Sequence, residues 1–239
     1  MSDELLTVIS QGAKDLNIVL PPDAEAAFGI YCDFLKLHGQ NVNLTSIEGD
    51  KDIARLHFLD STALLNTTDF INKRVIDIGS GAGFPGFPLK IAEPSIDITL
   101  LDATGKRVEF LKELCEKLDI KATCINARAE EVARNFDYRE RFDIVVSRAV
   151  AKMNMLCELC LPFVIPGGYF IAMKSTDSDE EISQAENAVK TLGAAFYKTV
   201  DYQIPGTEII HRAVLIKKTE STPEKYPRRF SKIQKSPLQ

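Results

Sequence analysis

No apolar run in the 239 residues approaches the roughly 20 needed to span a bilayer. A membrane-spanning helix is therefore not expected. The amino terminus, Met1-Ser2-Asp3-Glu4, is acidic and lacks the basic-then-apolar order of a secretory signal. Cysteine is sparse and odd in number, five, so no disulfide framework is expected, and a reducing cytoplasm is the simplest setting. Cys157-x-x-Cys160 has no second pair to complete a metal site, and its helical spacing toward Leu156 and Leu161 reads as ordinary burial. No metal is expected. Internal repeats and low-complexity linkers are also missing.

Excess positive charge is lacking too: the net charge is -5. Its distribution is uneven. Residues 1–60 hold ten acids against four Lys/Arg, whereas residues 217–239 hold seven Lys/Arg against two acids. An acidic body with a basic tail keeps an anionic partner open. Lys225, Arg228, Arg229, Lys232 and Lys235 read either as a solvated tail or as a phosphate-contacting arm. Tyr226 and Phe230 between them favour the arm, since aromatic faces stack bases.

What is present is an α/β pattern. Residues 24–38 read as an amphipathic helix, with Phe28, Tyr31, Leu35 and His38 three or four apart, and Phe28 and Tyr31 as core. A second helix is expected over 51–65. From Arg74 onward short apolar runs at 75–78, 98–101, 122–125, 144–146 and 169–173 alternate with helical stretches, as parallel strands joined by helices do. The clearest helix covers 105–118, with Val108, Leu111, Cys115 and Leu118 on one stripe and Thr104 as its N-cap. Residues 195–202 and 213–216 then read as two strands joined by a turn at Pro205-Gly206.

The densest local signal is Asp77-Ile78-Gly79-Ser80-Gly81-Ala82-Gly83-Phe84. A strand, three alternating glycines, then Pro85 opening a helix gives a sharp turn that a ligand can approach closely. The helix amino end suits a carboxylate or phosphate. Gly81-Ala82-Gly83-Phe84-Pro85-Gly86 also fits the dinucleotide fingerprint G-x-G-x-x-G, and Asp102 suits the ribose of either cofactor. Asp77 placed two residues before the first glycine, the D-x-G-x-G-x-G spacing and the closing hairpin favour a methyl donor over a dinucleotide.

Further segments carry a resemblance. They are Asn43-Leu44-Thr45, His57-Phe58-Leu59-Asp60-Ser61, the loop with its Phe84-Pro85-Gly86 extension, Lys106-Arg107, Arg128-Ala129-Glu130, Ser147-Arg148-Ala149-Val150-Ala151 and Lys225-Tyr226-Pro227-Arg228-Arg229. Together, from about residue 28 to the carboxy terminus, they resemble the bacterial 16S rRNA guanine-N7 methyltransferase G family, also called glucose-inhibited division protein B. The resemblance implies a class I S-adenosyl-L-methionine-dependent methyltransferase. Its fold would be a seven-stranded, mostly parallel, doubly wound sheet over residues 70–218, with a helical cap over 1–69 and a basic tail over 219–239. It implies 16S rRNA or the small ribosomal subunit as partner and a monomeric chain.

By the same resemblance Gly79, Ser80, Gly81 and Phe84 hold the methionine end of the donor, Asp102 the ribose, and Ala129 and Glu130 the adenine. Arg148 stands at the mouth. Asn43, Thr45, His57, Asp60 and Ser61 line the cleft, and Asn43, His57, Arg148, Lys174 and Arg228 are the expected substrate contacts. Beside this, the residues alone allow His57 to be a structural histidine and Asp60 to satisfy backbone donors near a helix. The chain departs from the family at His38-Gly39, where a Trp-Asn pair is common, at Ser175 and at Phe230-Ser231-Lys232; these bear on the tail and RNA contacts, not on the donor loop. No catalytic acid or base is expected. No Asp/Asn-Pro-Pro-Tyr segment of amino-group methyltransferases follows the strand at 142–147, and no Pro-Cys pair offers a nucleophile.

Overall fold

The computed structural model describes residues 2–42 and 44–238, the side chains of residues 39–42 excepted. The chain opens with helices α1 (Asp3–Asp15) and α2 (Ala24–Val42). A helical rod follows: α3 (Asp50–Ile53), a π turn (Ala54–Leu59), α4 (Asp60–Thr62) and a 3-10 turn (Ala63–Asn66). The expected helix at 51–65 is therefore there, but wound unevenly.

Strands and helices then alternate: β1 (Arg74–Ile78), α5 (Gly86–Ala92), β2 (Asp97–Asp102), α6 (Gly105–Leu118), β3 (Thr123–Asn126), α7 (Ala129–Val132), β4 (Phe142–Arg148), α8 (Met153–Cys160) and β5 (Val164–Ser175). After α9 (Asp179–Gln184) and α10 (Glu186–Thr191) come β6 (Ala194–Gln203), β7 (Ile210–Lys218) and α11 (Phe230–Lys235).

The seven strands form one sheet in the order β3-β2-β1-β4-β5-β7-β6. β1 to β5 pair in parallel, while β7 runs antiparallel to both β5 and β6. This is the class I methyltransferase arrangement expected from the closing hairpin. A dinucleotide fold built of parallel strands alone has no such insertion.

Helices cover both faces, so the central strands are largely apolar on both sides. Val75, Ile98, Leu100, Ile144, Ile171 and Leu215 pack under α2, α5 and α6, together with Phe28, Tyr31, Phe87 and Leu111. Ile76, Ile78, Val145, Phe170, Val214 and Ile216 pack on the other face, with α8 and α10. Cys157 and Cys160 are buried free thiols in that second cluster. Thr104 sits at the N-cap of α6, yet its hydroxyl caps nothing; its N–H donates to Asp102 Oδ1 at 2.8 Å. Pro85 stands just before α5, whose first residue is Gly86.

The segment after β7 is docked, not trailing. Tyr226 and Ile233 are buried in the second cluster. Arg139 donates to the carbonyls of Thr222 (2.7 Å) and Tyr226 (2.9 Å), and Arg134 to that of Pro227 (2.5 Å). The fully buried Lys218 donates to the Leu161 carbonyl at 2.8 Å and lies 3.3 Å from Glu140. Burial holds its ammonium down at about 8 despite that carboxylate.

Candidate functional site: a glycine-loop cleft at the strand ends

The strand order reverses beside β1, between β2 and β4. Open α/β sheets bind ligands beyond the carboxyl ends of the strands at such a switch point. A cleft of about 430 Å³ lies there, lined by Leu44, Gly79, Ser80, Gly81, Ala82, Phe84, Asp102, Ala103, Thr104, Arg107, Arg128, Arg148, Ala149 and Val150.

Three glycines build the loop, and they are not equivalent. All three adopt positive φ: 74° at Gly79, 58° at Gly81 and 101° at Gly83. A Cβ on Gly83 would stand 2.5 Å from Phe87 and 2.7 Å from the Tyr31 hydroxyl; one on Gly79 would stand 2.5 Å from Val150. At Gly81 the space is open, with only the Gly79 carbonyl at 3.9 Å. Gly83 is a packing glycine, and Gly81 is the one that leaves room over the loop.

The acids divide the work. Asp102 accepts the Gly81 N–H at 3.0 Å and the Thr104 N–H at 2.8 Å, one on each oxygen. Each oxygen keeps a further lone pair for a hydroxyl. Asp77 lies fully buried beneath the loop. Its Oδ2 accepts the Gly86 N–H at 2.9 Å, and its Oδ1 has no partner among the described residues. Burial pushes this carboxyl up to about 7.

Phe84 is the wall between cleft and core. Its ring stacks on Tyr31 at 5.3 Å and on His57 at 4.4 Å, and the Arg148 guanidinium lies 4.9 Å from its centroid. Tyr31 also donates its hydroxyl to the Ala82 carbonyl, tying α2 to the loop. Ser80 lines the cleft with its backbone, while its hydroxyl turns inward to the Asp77 carbonyl at 2.9 Å.

Arg148, at the end of β4, is held from the helical rod. It donates to the Leu56 carbonyl (3.1 Å), Asp60 Oδ2 (3.3 Å) and His57 Nδ1 (3.0 Å). The π turn helps make this possible. The Asp60 N–H bonds the Arg55 carbonyl, five residues back, where an α-helix would use Leu56, and Leu56 accepts from Arg148 instead. Ser61, also expected in the cleft, donates its hydroxyl to the His57 carbonyl at 2.6 Å inside the rod.

An arginine only donates, so His57 Nδ1 accepts and the ring proton sits on Nε2. That nitrogen is 2.7 Å from Thr45 Oγ1. Burial, then the Arg148 charge, hold His57 down at about 3. Of its two sequence readings the structural one describes this geometry: His57 is behind Phe84 and absent from the cleft lining. Unfolded His57 takes up a proton below about pH 6.5, and the folded ring does not until about 3. Its contribution is therefore complete above 6.5 and is lost as pH falls from there to about 3. The loss of urea stability between pH 7 and 4 should be smaller in His57→Gln than in the parent chain. ¹⁵N NMR should find the neutral Nε2–H tautomer at pH 5.

Asp60 is 1% exposed and does not serve backbone donors. It binds side chains: Arg148, the Tyr202 hydroxyl at 2.8 Å and His211 Nδ1 at 2.9 Å. Tyr202 and His211, on β6 and β7, were not marked by the sequence.

The other expected residues lie apart from the cleft lining. Ala129 and Glu130 are buried at the start of α7, and Glu130 faces a neighbouring cavity with Arg134, Arg229 and Phe230. Lys174 donates to the Ala151 carbonyl at 3.0 Å and to Glu181 at 2.6 Å. Arg228 is paired with the buried Glu158. Asn43 lies outside the described residues. Among the described residues no cluster of His, Cys, Asp and Glu could hold a metal, and no helix is long and apolar enough to cross a membrane.

Comparison with known proteins agrees with this geometry. Solved structures share the fold at low identity. TrmN from Thermus thermophilus has a TM-score of 0.52 at 19% identity, over 67% of this chain and 48% of its own. A SAM-dependent methyltransferase from Aquifex aeolicus has 0.52 at 14%, over 69% and 92%. Sequence relatives reach much further. The ribosomal RNA small subunit methyltransferase G of Alkaliphilus oremlandii is 42% identical over 237 residues, 98% of this chain and 99% of its own. That of a Thermoanaerobacter species is 40% identical over 240 residues, the full length of both. The family model for rRNA small subunit methyltransferase G matches residues 24–210. This chain, with its glycine-loop cleft at the switch point of a seven-stranded sheet, belongs to the rRNA small subunit methyltransferase G family.

Proposed function

We propose that the chain transfers the methyl group of S-adenosyl-L-methionine to N7 of a guanine in the 16S rRNA of the small ribosomal subunit. The observation that carries this reading is the open cradle over Gly81, bounded by Asp102 on one side and Arg148 on the other, in a chain of this family. The residues fit the donor. A cleft of about 430 Å³ is within the range that takes a cofactor-sized ligand. The lone pairs left on Asp102 suit the ribose hydroxyls, and the loop from Gly79 to Phe84, with Ser80 and Gly81, suits the methionine end. Ala129 and Glu130, at the start of α7 beside the cleft, are the residues that the family resemblance assigns to the adenine.

When bound, the donor supplies a methyl group on a positively charged sulfur. Guanine N7 carries an in-plane lone pair and no proton, so it would take the methyl carbon as the carbon–sulfur bond breaks and the sulfur leaves as a neutral thioether, and no general base is needed. What the protein must provide is alignment, which can be worth about 7–11 kcal/mol. Arg148 is the residue at the mouth suited to the guanine O6 edge or a neighbouring phosphate. It cannot usefully bond N7, whose lone pair is the nucleophile. Lys174 and Arg228 are committed to Glu181 and Glu158, and Arg107 lies 3.7 Å from Asp102, which leaves the exposed Arg128 as a further cation on the cleft lining.

Two measurements test the reading together. Calorimetry should show binding of S-adenosyl-L-methionine and none of NAD. Incubation of small subunits with methyl-labelled donor should place label on guanine N7. Binding of NAD alone, or label only on other atoms, would overturn it.

A further inference from the structure

Arg148 reaches the cleft from β4, but what fixes it comes from elsewhere. Its guanidinium carries five N–H groups. Two on Nη1 serve Leu56 and Asp60, and one on Nη2 serves His57. The Nε–H and the second Nη2–H have no partner among the described residues, and Arg148 lines the cleft. A planar fork held along one edge presents its remaining donors in a set direction.

The Asp60 carboxylate that holds this edge is itself held. Its Oδ1 accepts from Tyr202 and from His211, 142 and 151 residues further along the chain. These two donors sit opposite each other in the antiparallel register of β6 and β7. Neither lines the cleft. A bare aspartate in this position would rotate; one anchored on its far oxygen can offer only Oδ2 to Arg148. Buried hydrogen bonds to a charged group are the strong kind.

We propose that Asp60, Tyr202 and His211 are positioning residues, which use the closing hairpin to fix the Arg148 guanidinium at the mouth of the cleft. This rests on the reading of the cleft as a methyl-transfer site. It also gives the hairpin a task in the reaction besides completing the sheet.

The test is a double-mutant cycle. Tyr202→Phe removes one donor to Asp60 and leaves the ring in place. In the parent chain it should lower kcat/KM for methyl transfer by about ten- to a hundredfold, the range expected for a lost hydrogen bond to a charged group. The midpoint of thermal unfolding should move little in comparison with a core deletion. In an Arg148→Ala background, where there is no guanidinium to position, the same change should cost almost nothing. His211→Gln should follow the same pattern. An Arg148→Gln background repeats the cycle should the alanine variant fold poorly. Equal fractional losses in both backgrounds would mean that Tyr202 acts on the fold alone, and would overturn the proposal. A parent chain that binds the donor but puts no methyl group on guanine would instead overturn the functional reading. The cycle can then be read on donor affinity, where the same contrast between backgrounds is expected.

Discussion

Replacing Arg228 by alanine should destabilise the protein by about 3–5 kcal/mol, the usual result of stranding one member of a buried ion pair. Arg228 Nε lies 2.8 and 3.1 Å from the two oxygens of Glu158, and Nη2 lies 2.6 Å from the second. The Arg228 N–H adds a fourth bond at 2.8 Å. Glu158 is 0% exposed, on α8, so its charge has no water to fall back on. For a chain of this size the change corresponds to a drop of roughly 6–20 °C in thermal midpoint. Scanning calorimetry checks it. The paired replacement of Glu158→Leu with Arg228→Met should recover most of the loss, since an apolar pair often stands in for a buried ionic one. Below its unfolding temperature the Arg228→Ala protein should still methylate RNA. A large loss of RNA affinity with unchanged stability would return Arg228 to the role of substrate contact that its place in a basic tail suggests.

The glycine loop gives the second large effect, as a contrast between Gly81 and Gly83, two positions apart in the sequence but opposite in surroundings. Gly83→Ala adds a methyl group 2.5 Å from Phe87 and 2.7 Å from the Tyr31 hydroxyl, at a φ of 101°. Strain and overpacking together should cost about 2–6 kcal/mol. The Tyr31 bond to the Ala82 carbonyl should be lost with it. Gly81→Ala meets no atom closer than 3.9 Å, and its φ of 58° lies in the left-handed region that other residues enter for about 1–2 kcal/mol. Its fold should survive nearly intact. Its methyl group, however, projects into the space assigned to the donor. Affinity for S-adenosyl-L-methionine should fall by at least tenfold, as read by calorimetry on a protein whose unfolding midpoint has dropped by only about 2–8 °C. If Gly81→Ala binds the donor normally, the cradle over this glycine is not where the donor lies.

Much of this was legible in the sequence, and the rest has a physical reason for being hidden. The runs at 75–78 and 98–101 mark β1 and β2 because strands covered on both faces must be apolar throughout. The helix at 105–118 matches α6 because its apolar stripe has the helical period. β5 extends well beyond the run at 169–173, to Val164–Ser175, since Val164 pairs with Phe142 before an irregularity at Pro166-Gly167-Gly168 and the ladder resumes at Tyr169. The π turn at Ala54–Leu59 leaves no trace in a helical period that it shifts by one residue.

The site divides in the same way. Gly79, Gly81, Phe84 and Asp102 line one cleft as the glycine motif and the acid that follows it suggest, and Arg148 joins them as the family resemblance implies. Asp60 was visible, but its partners were not: Tyr202 falls at the end of one expected strand and His211 lies outside the next. Pairings across 142 and 151 residues are set by the sheet order, which no local period encodes. For Arg228 there was a signal in the other partner. Glu158 is the lone charge in the apolar helix Met153–Cys160, and a carboxylate in such a place needs a cation from somewhere.

Everything proposed for the cleft turns on which atom receives the methyl group. Nucleosides from the 16S rRNA of cells with and without this protein, separated and weighed by mass spectrometry with the modified position mapped, decide it most directly. One N7-methylguanine should disappear when the protein is removed and return with the parent gene but not with Gly81→Ala. An unchanged set of methylated guanines in the two RNAs would contradict it.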